Sequence, residues 1–261
     1  MYKGVLIDWG GVLTTSMYDS IMAWVTADRI DPSHYREVMR EMIASAYTTA
    51  HGDGSANGGS TGPIPADGSS KDAAVIGVAA MEAAVLAGMA AGATGDGNPI
   101  HALERGEIDP REFERDLAAR LITVDGGIPE AEGMLNRMFA AFEPVESMYT
   151  MLRTARAAGL KTCLLSNSWG NDYPREHWTG AFDEVIISGE VGMRKPEPRI
   201  FHHSLDAIGL TARQCVFVDD LAPNVAAAQA LGITGVHHTD ATTTIGELET
   251  LLGMPLRSAA H

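Results

Sequence analysis

Four of the five short apolar runs in this chain lie after residue 160, and the fifth stands alone at the N-terminus. They cover residues 3–8, 161–166, 184–188, 214–219 and 233–237. Each is rich in β-branched residues and has little polar alternation, the pattern of parallel strands buried on both faces. Helical stretches fall between the later runs, at 145–158, 198–208, 224–231 and 243–252, with Gly159, Gly209 and Gly232 as C-terminal stops. Strand alternating with helix predicts an α/β fold, a doubly wound parallel-sheet (Rossmann-like) core. A parallel crossover needs about a dozen residues, yet about 150 separate the first run from the second. A subdomain must be inserted there. We expect residues 1–16 and 144–261 to form the core and 17–143 a helical cap domain.

Within the insert, helices are expected at 33–47, 71–91, 110–121 and 129–142, the third opening on the start signal Asp109-Pro110. Residues 51–70 are dominated by Gly, Ser, Pro and Asp and read as a flexible tract. Segment 73–93 has the length of a membrane span, but it is mostly Ala and Gly with Glu82 at its centre, so a packed cap helix is expected. Cys163 and Cys215 each sit in an apolar run and read as buried thiols in a reducing, cytoplasmic setting. The start, MYKGVLID, lacks the pattern of a signal peptide, so the mature chain is expected to begin at Met1.

A net charge of -15, from 34 acidic against 19 basic residues, argues against a nucleic-acid surface. With only Lys3, Lys71, Lys161 and Lys195 as lysines, an anionic substrate must be held by local groups: backbone N–H, one or two cations and a metal.

The carboxyl ends of parallel strands share one edge of the sheet, where ligands bind. Asp8 ends the first run, Ser166 and Asn167 the second, Asp219 and Asp220 the fourth, and Lys195 follows the third. Three carboxylates brought together disfavour joint ionisation unless a cation is present. Asp8 and Asp220, with a backbone carbonyl, water and a phosphate oxygen, suit the oxygen coordination of Mg2+. Lys195 would neutralise further charge on a phosphoryl group, while the Ser166 hydroxyl and nearby backbone N–H groups would orient its oxygens.

Four segments in order, IDWGGVLT, LLSN, RKP and VDD, resemble the four motifs of the haloacid-dehalogenase-like hydrolases. The resemblance implies a phosphatase in which Asp8 attacks phosphorus to form an aspartyl-phosphate that water hydrolyses. It further implies a metal site of Asp8, the Gly10 carbonyl and Asp220, with Asp219 acting through water. Phosphate would be held by Ser166, Asn167, Lys195, Gly10 and Gly11, and the substrate would be a small phosphorylated metabolite. The stretch HALERGEIDPREFERDL is similar to the cap of the epoxide-hydrolase-phosphatase and sugar-phosphatase branch.

One position departs from the pattern. Most phosphatases of this superfamily carry a second Asp, the general acid and base, where this chain has Gly10. Either the leaving group needs little protonation, or the cap supplies a proton carrier, or turnover is slow or lost, leaving a binding module. A metal-free 2-haloacid dehalogenase also lacks that Asp, but it has no evident use for Asp219 beside Asp220. Phosphonate cleavage would need a cap lysine for a Schiff base, and Lys71 alone is available. Among the remaining candidates, Asn224 either contacts the fourth motif or caps a helix. The pairs His202-His203 and His237-His238 diverge too much to share a metal. Glu104 and Arg105 reach substrate or form a cap-surface ion pair.

Overall fold

The computed structural model describes residues 1–48, 98–170 and 172–257. The expected flexible tract at 51–70, the expected helix at 71–91 with Lys71, and the span-length segment 73–93 lie outside the described residues. Among those described, no helix is long and apolar enough to cross a membrane.

Strands β1 (Gly4–Ile7), β2 (Lys161–Ser166), β3 (Glu184–Ile187), β4 (Cys215–Asp219) and β5 (Thr234–His237) form one parallel sheet in the order β3-β2-β1-β4-β5. All five lie within a residue of the runs expected for them. Ile7 pairs with Leu164 of β2 and with Val218 of β4, so the three central strands end level. Strand order reverses on either side of β1, which therefore delivers Asp8 to the switch point where α/β sheets bind ligands. Val5, Leu6 and Ile7, like Val216 to Val218, have no exposed surface, consistent with helices covering both faces.

Of the six described helices between β1 and β2 in the chain, five lie before residue 143: α1 (Met17–Ala27), α2 (Pro32–Thr48), α3 (Pro99–Glu104), α4 (Pro110–Arg120) and α5 (Met134–Phe139). The chain leaves the core and returns to it side by side: Thr15 N donates to Glu143 O and Val145 N to Leu13 O, at 2.8 and 2.9 Å. Helix α4 starts as expected, with Asp109 accepting from the N–H groups of Arg111 and Glu112. Helix α5 is shorter than the 129–142 expected. Gly133 adopts a left-handed conformation (φ 70°) just before it, and the Glu130 and Glu132 carbonyls accept from the Arg137 guanidinium at 2.6 Å instead of continuing a helix. Glu114 from α4 then caps α5 by accepting from Leu135 N at 2.9 Å.

The rest of the chain carries the expected helices α6 (Glu146–Ala157), α8 (Pro198–Ile208), α9 (Ala222–Ala230) and α10 (Ala241–Leu252), and adds the single turn α7 (Ser188–Val191), for which no helix was expected. Gly209 closes α8 in the left-handed region (φ 68°), where a side chain would be strained. Helix α9 begins two residues before the expected start at 224, which places Asn224 inside the helix and makes Leu221 its N-cap.

Candidate active site

Asp8 leaves the end of β1 with its Oδ1 accepting from Trp9 N at 2.7 Å and from Lys195 Nζ at 2.7 Å. Lys195 is 1% exposed and also donates to Asp219 Oδ2 at 2.7 Å. One buried ammonium thus joins the ends of β1 and β4. Its position is set by Asn167, whose amide is matched to the Lys195 main chain: Nδ2 donates to Lys195 O at 3.0 Å and Oδ1 accepts from Lys195 N at 2.8 Å.

Asp219 has no exposed surface and both its oxygens are occupied. Oδ1 accepts from Leu221 N at 2.8 Å, and Asn224 Nδ2 lies 3.1 and 3.2 Å from the two oxygens. Of the two roles open to Asn224, the structure selects contact with the fourth-motif loop. The neighbouring Asp220 differs: its Oδ1 is buried with no hydrogen-bond partner. Gly11 sits against it in a left-handed conformation (φ 73°), and a Cβ there would stand 2.3 Å from Asp220 Oδ2. Its N–H donates to Thr14 Oγ1 at 3.0 Å, so Gly11 admits Asp220 to the site, and its N–H is already engaged without phosphate.

Asp8, Asp219 and Asp220 each offer an oxygen within 4.8 Å of the others. Burial, reinforced by Asp219, pushes the Asp8 carboxyl up to about 7 against the opposing pull of Lys195. Burial and then the two neighbouring carboxylates raise Asp220 well above the usual range. Burial alone would lower Lys195, but Asp219 and Asp8 outweigh it and hold the ammonium above its ordinary value. Crowded oxygens, an orphaned buried carboxylate atom and a donor set of hard oxygens fit a divalent cation such as Mg2+.

A cavity of about 70 Å³ opens beside Asp8 and is bordered by Gly10, Ser166, Asn167 and Lys195. Ser166 Oγ lies 2.9 Å from the hydroxyl of Tyr173, a partner with no signal in the sequence. Tyr173 also meets Trp9 edge-on, with ring centroids 4.9 Å apart, and Trp9 stacks on Phe142 at 5.6 Å. Glu104 and Arg194 form a buried ion pair at the cavity edge, so Glu104 is not part of a cap-surface pair. Arg105 turns away to Glu197 at 2.7 Å. His237 and His238 take different partners: His237 Nε2 lies 2.9 Å from the Asp220 carbonyl, and His238 Nδ1 lies 2.9 Å from Thr244 Oγ1.

Residues 2–232 match the family described as haloacid dehalogenase-like hydrolase. The chain belongs to that family. It is accordingly a hydrolase, and its acidic cluster can coordinate a divalent metal. The sesquiterpene phosphatase astK of Aspergillus oryzae is 31% identical over 156 residues, covering 58% of this chain and 77% of that protein. Bifunctional epoxide hydrolase 2 of Sus scrofa is 30% identical over 161 residues, 58% of this chain but only 28% of the relative's length. Among solved structures, a HAD-like family hydrolase from Porphyromonas gingivalis superposes over 97% of this chain and 98% of its own, with a TM-score of 0.52 at 18% identity. That likeness concerns the fold.

Proposed function

We propose that this hydrolase is a magnesium-dependent phosphohydrolase of small phosphorylated metabolites, working through an aspartyl-phosphate on Asp8. The observation that carries the reading is the ammonium of Lys195 bridging Asp8 and Asp219 beside the unpartnered Asp220 oxygen. A metal-free dehalogenase leaves that oxygen without a purpose. The name of the fungal relative supports a phosphatase, and that of the porcine relative supports a likeness to epoxide hydrolases. The proposed domain division at 16/17 and 143/144 has support in the paired exit and return segments.

Asp8, Asp220 and the Gly10 carbonyl would hold the metal, and when bound it supplies charge neutralisation for the phosphoryl oxygens. Both hydrogen bonds to Asp8 fall on Oδ1, which leaves Oδ2 to attack. A bond forms from Oδ2 to phosphorus as the bond from phosphorus to the substrate oxygen breaks. Water then attacks phosphorus, frees the Asp8 carboxylate and releases inorganic phosphate. Lys195 and Ser166 orient the phosphoryl oxygens, while Asn167 and Asp219 hold Lys195 in place.

Gly10 provides no acid for the departing oxygen. A Cβ at that position would meet Met17 Cε at 3.5 Å and Phe142 Cε1 at 4.0 Å, both ordinary contacts with side chains, so the first atom of Gly10→Asp displaces no backbone. The substitution should preserve turnover, or raise it by up to about 10²- to 10⁴-fold for poor leaving groups. The direct test is phosphate release from an aryl phosphate, sugar phosphates and acyl phosphates, with magnesium and with chelator. Turnover that survives chelation, or halide release from a 2-haloacid, would overturn the reading.

A further inference from the structure

We infer that the group carried on the phosphate is apolar, a hydrocarbon phosphate in preference to a sugar, amino-acid or nucleoside phosphate. The inference rests on the phosphatase reading and narrows its substrate class. Besides Asp8, the cavity is walled by Met17 and Ile21 of α1, Met138 and Phe139 of α5, and Phe142 and Trp9. Met17 and Ile21 stand four residues apart and so share one face of their helix. Gly10 extends the same wall, since the carboxylate that the family usually places there is absent.

Most polar groups on this cavity are already matched, Trp9 Nε1 and Asn224 Oδ1 being the buried exceptions. Glu104 and Arg194, 4% and 2% exposed, neutralise each other, and Glu104 also accepts from Trp169 Nε1 at 3.3 Å. The Asn167 amide is spent on the Lys195 main chain. A hydroxyl or amine entering beside these walls would give up its hydrogen bonds to water and find few in return, whereas each buried methylene gains by leaving water. Charge recognition thus falls to Asp8 and Lys195, and hydrocarbon contact to the apolar residues of α1 and α5 with Phe142 and Trp9.

Alkylphosphonates keep the anion and replace the scissile oxygen by carbon, so they report binding without turnover. Affinities of methyl-, butyl- and 4-hydroxybutylphosphonate for the full chain with magnesium would be measured by calorimetry, beside turnover of the aryl phosphate. Affinity should rise about fourfold per methylene along the first few carbons, and the hydroxylated analogue should bind at least about tenfold more weakly than butyl. Ile21→Asn, at a half-buried position, should flatten the dependence on chain length. Binding of methylphosphonate with no gain from butyl, or tighter binding of the hydroxylated analogue, overturns this inference and leaves the phosphatase intact. No binding of methylphosphonate together with no turnover overturns both.

Discussion

The two edges of the sheet use the same chemical groups in opposite ways. At the carboxyl edge, Asp8, Asp219 and Asp220 crowd around the single ammonium of Lys195, which is 1% exposed. At the amino edge, Asp183 lies between two cations, 3.2 Å from Arg156 and 3.5 Å from Lys161, and also accepts from Thr162 N at 2.9 Å. Burial tends to raise the Asp183 carboxyl, but the Thr162 N–H, Arg156 and Lys161 outweigh it and hold the group below its ordinary range. At the other edge, burial and like charge win, and Asp8 rises to about 7. A balanced cluster stabilises the fold as it stands. An unbalanced one fits the cation and the anionic phosphate that the proposed function requires.

Breaking the unbalanced edge should therefore change chemistry more than folding. Asp8→Asn should lower aryl phosphate turnover on the order of 10⁴-fold or more, with no loss of midpoint in thermal unfolding, because it removes one of three competing carboxylates. Full activity in this variant would sink the covalent route. Lys195→Met removes the one cation instead. It should cost about 3–5 kcal/mol in denaturant unfolding, the usual effect of stripping a buried charge of its partner. The matching change at the exposed edge, Lys161→Met, should cost less than about 1 kcal/mol. Equal costs at the two edges would end the contrast.

Magnesium should sharpen it further. At about 100 times its dissociation constant, the ion should add about 2.7 kcal/mol to unfolding free energy. Asp220→Asn should abolish that gain. If the variant keeps the full magnesium effect, Asp220 is not a ligand.

How much of this could be read in advance depended on whether the determinant was local. Strands buried on both faces leave continuous apolar runs, so β1 to β5 were visible, and level strand ends bring Asp8, Ser166 and Asp219 to one edge. Helix α1 escaped notice although Ser16 and Asp19 form a local start signal, with Ser16 Oγ accepting from Asp19 N at 3.1 Å. Contacts between distant segments carried no such signal. Glu104 meets Arg194 across 90 positions of chain, and Tyr173 reaches Ser166 only because the loop after β2 folds back. Nothing in the residue types near Asn224 separated capping from contact with Asp219; where α9 begins decided it.

The smallest expected effect tests the balanced edge directly. Asp183→Asn should lower stability at pH 7 by about 1 kcal/mol, since it loses two partly exposed ion pairs while keeping an oxygen for Thr162 N. Because the folded carboxyl titrates below the ordinary value of about 3.9, its contribution is complete above about pH 5 and disappears as pH falls through the lowered folded value. The stability gap between wild type and variant should therefore be constant from pH 7 to 5 and close in stronger acid. A gap that persists at the lowest pH would mean that Asp183 acts through packing and neutral hydrogen bonds, and the two edges would then differ in burial alone.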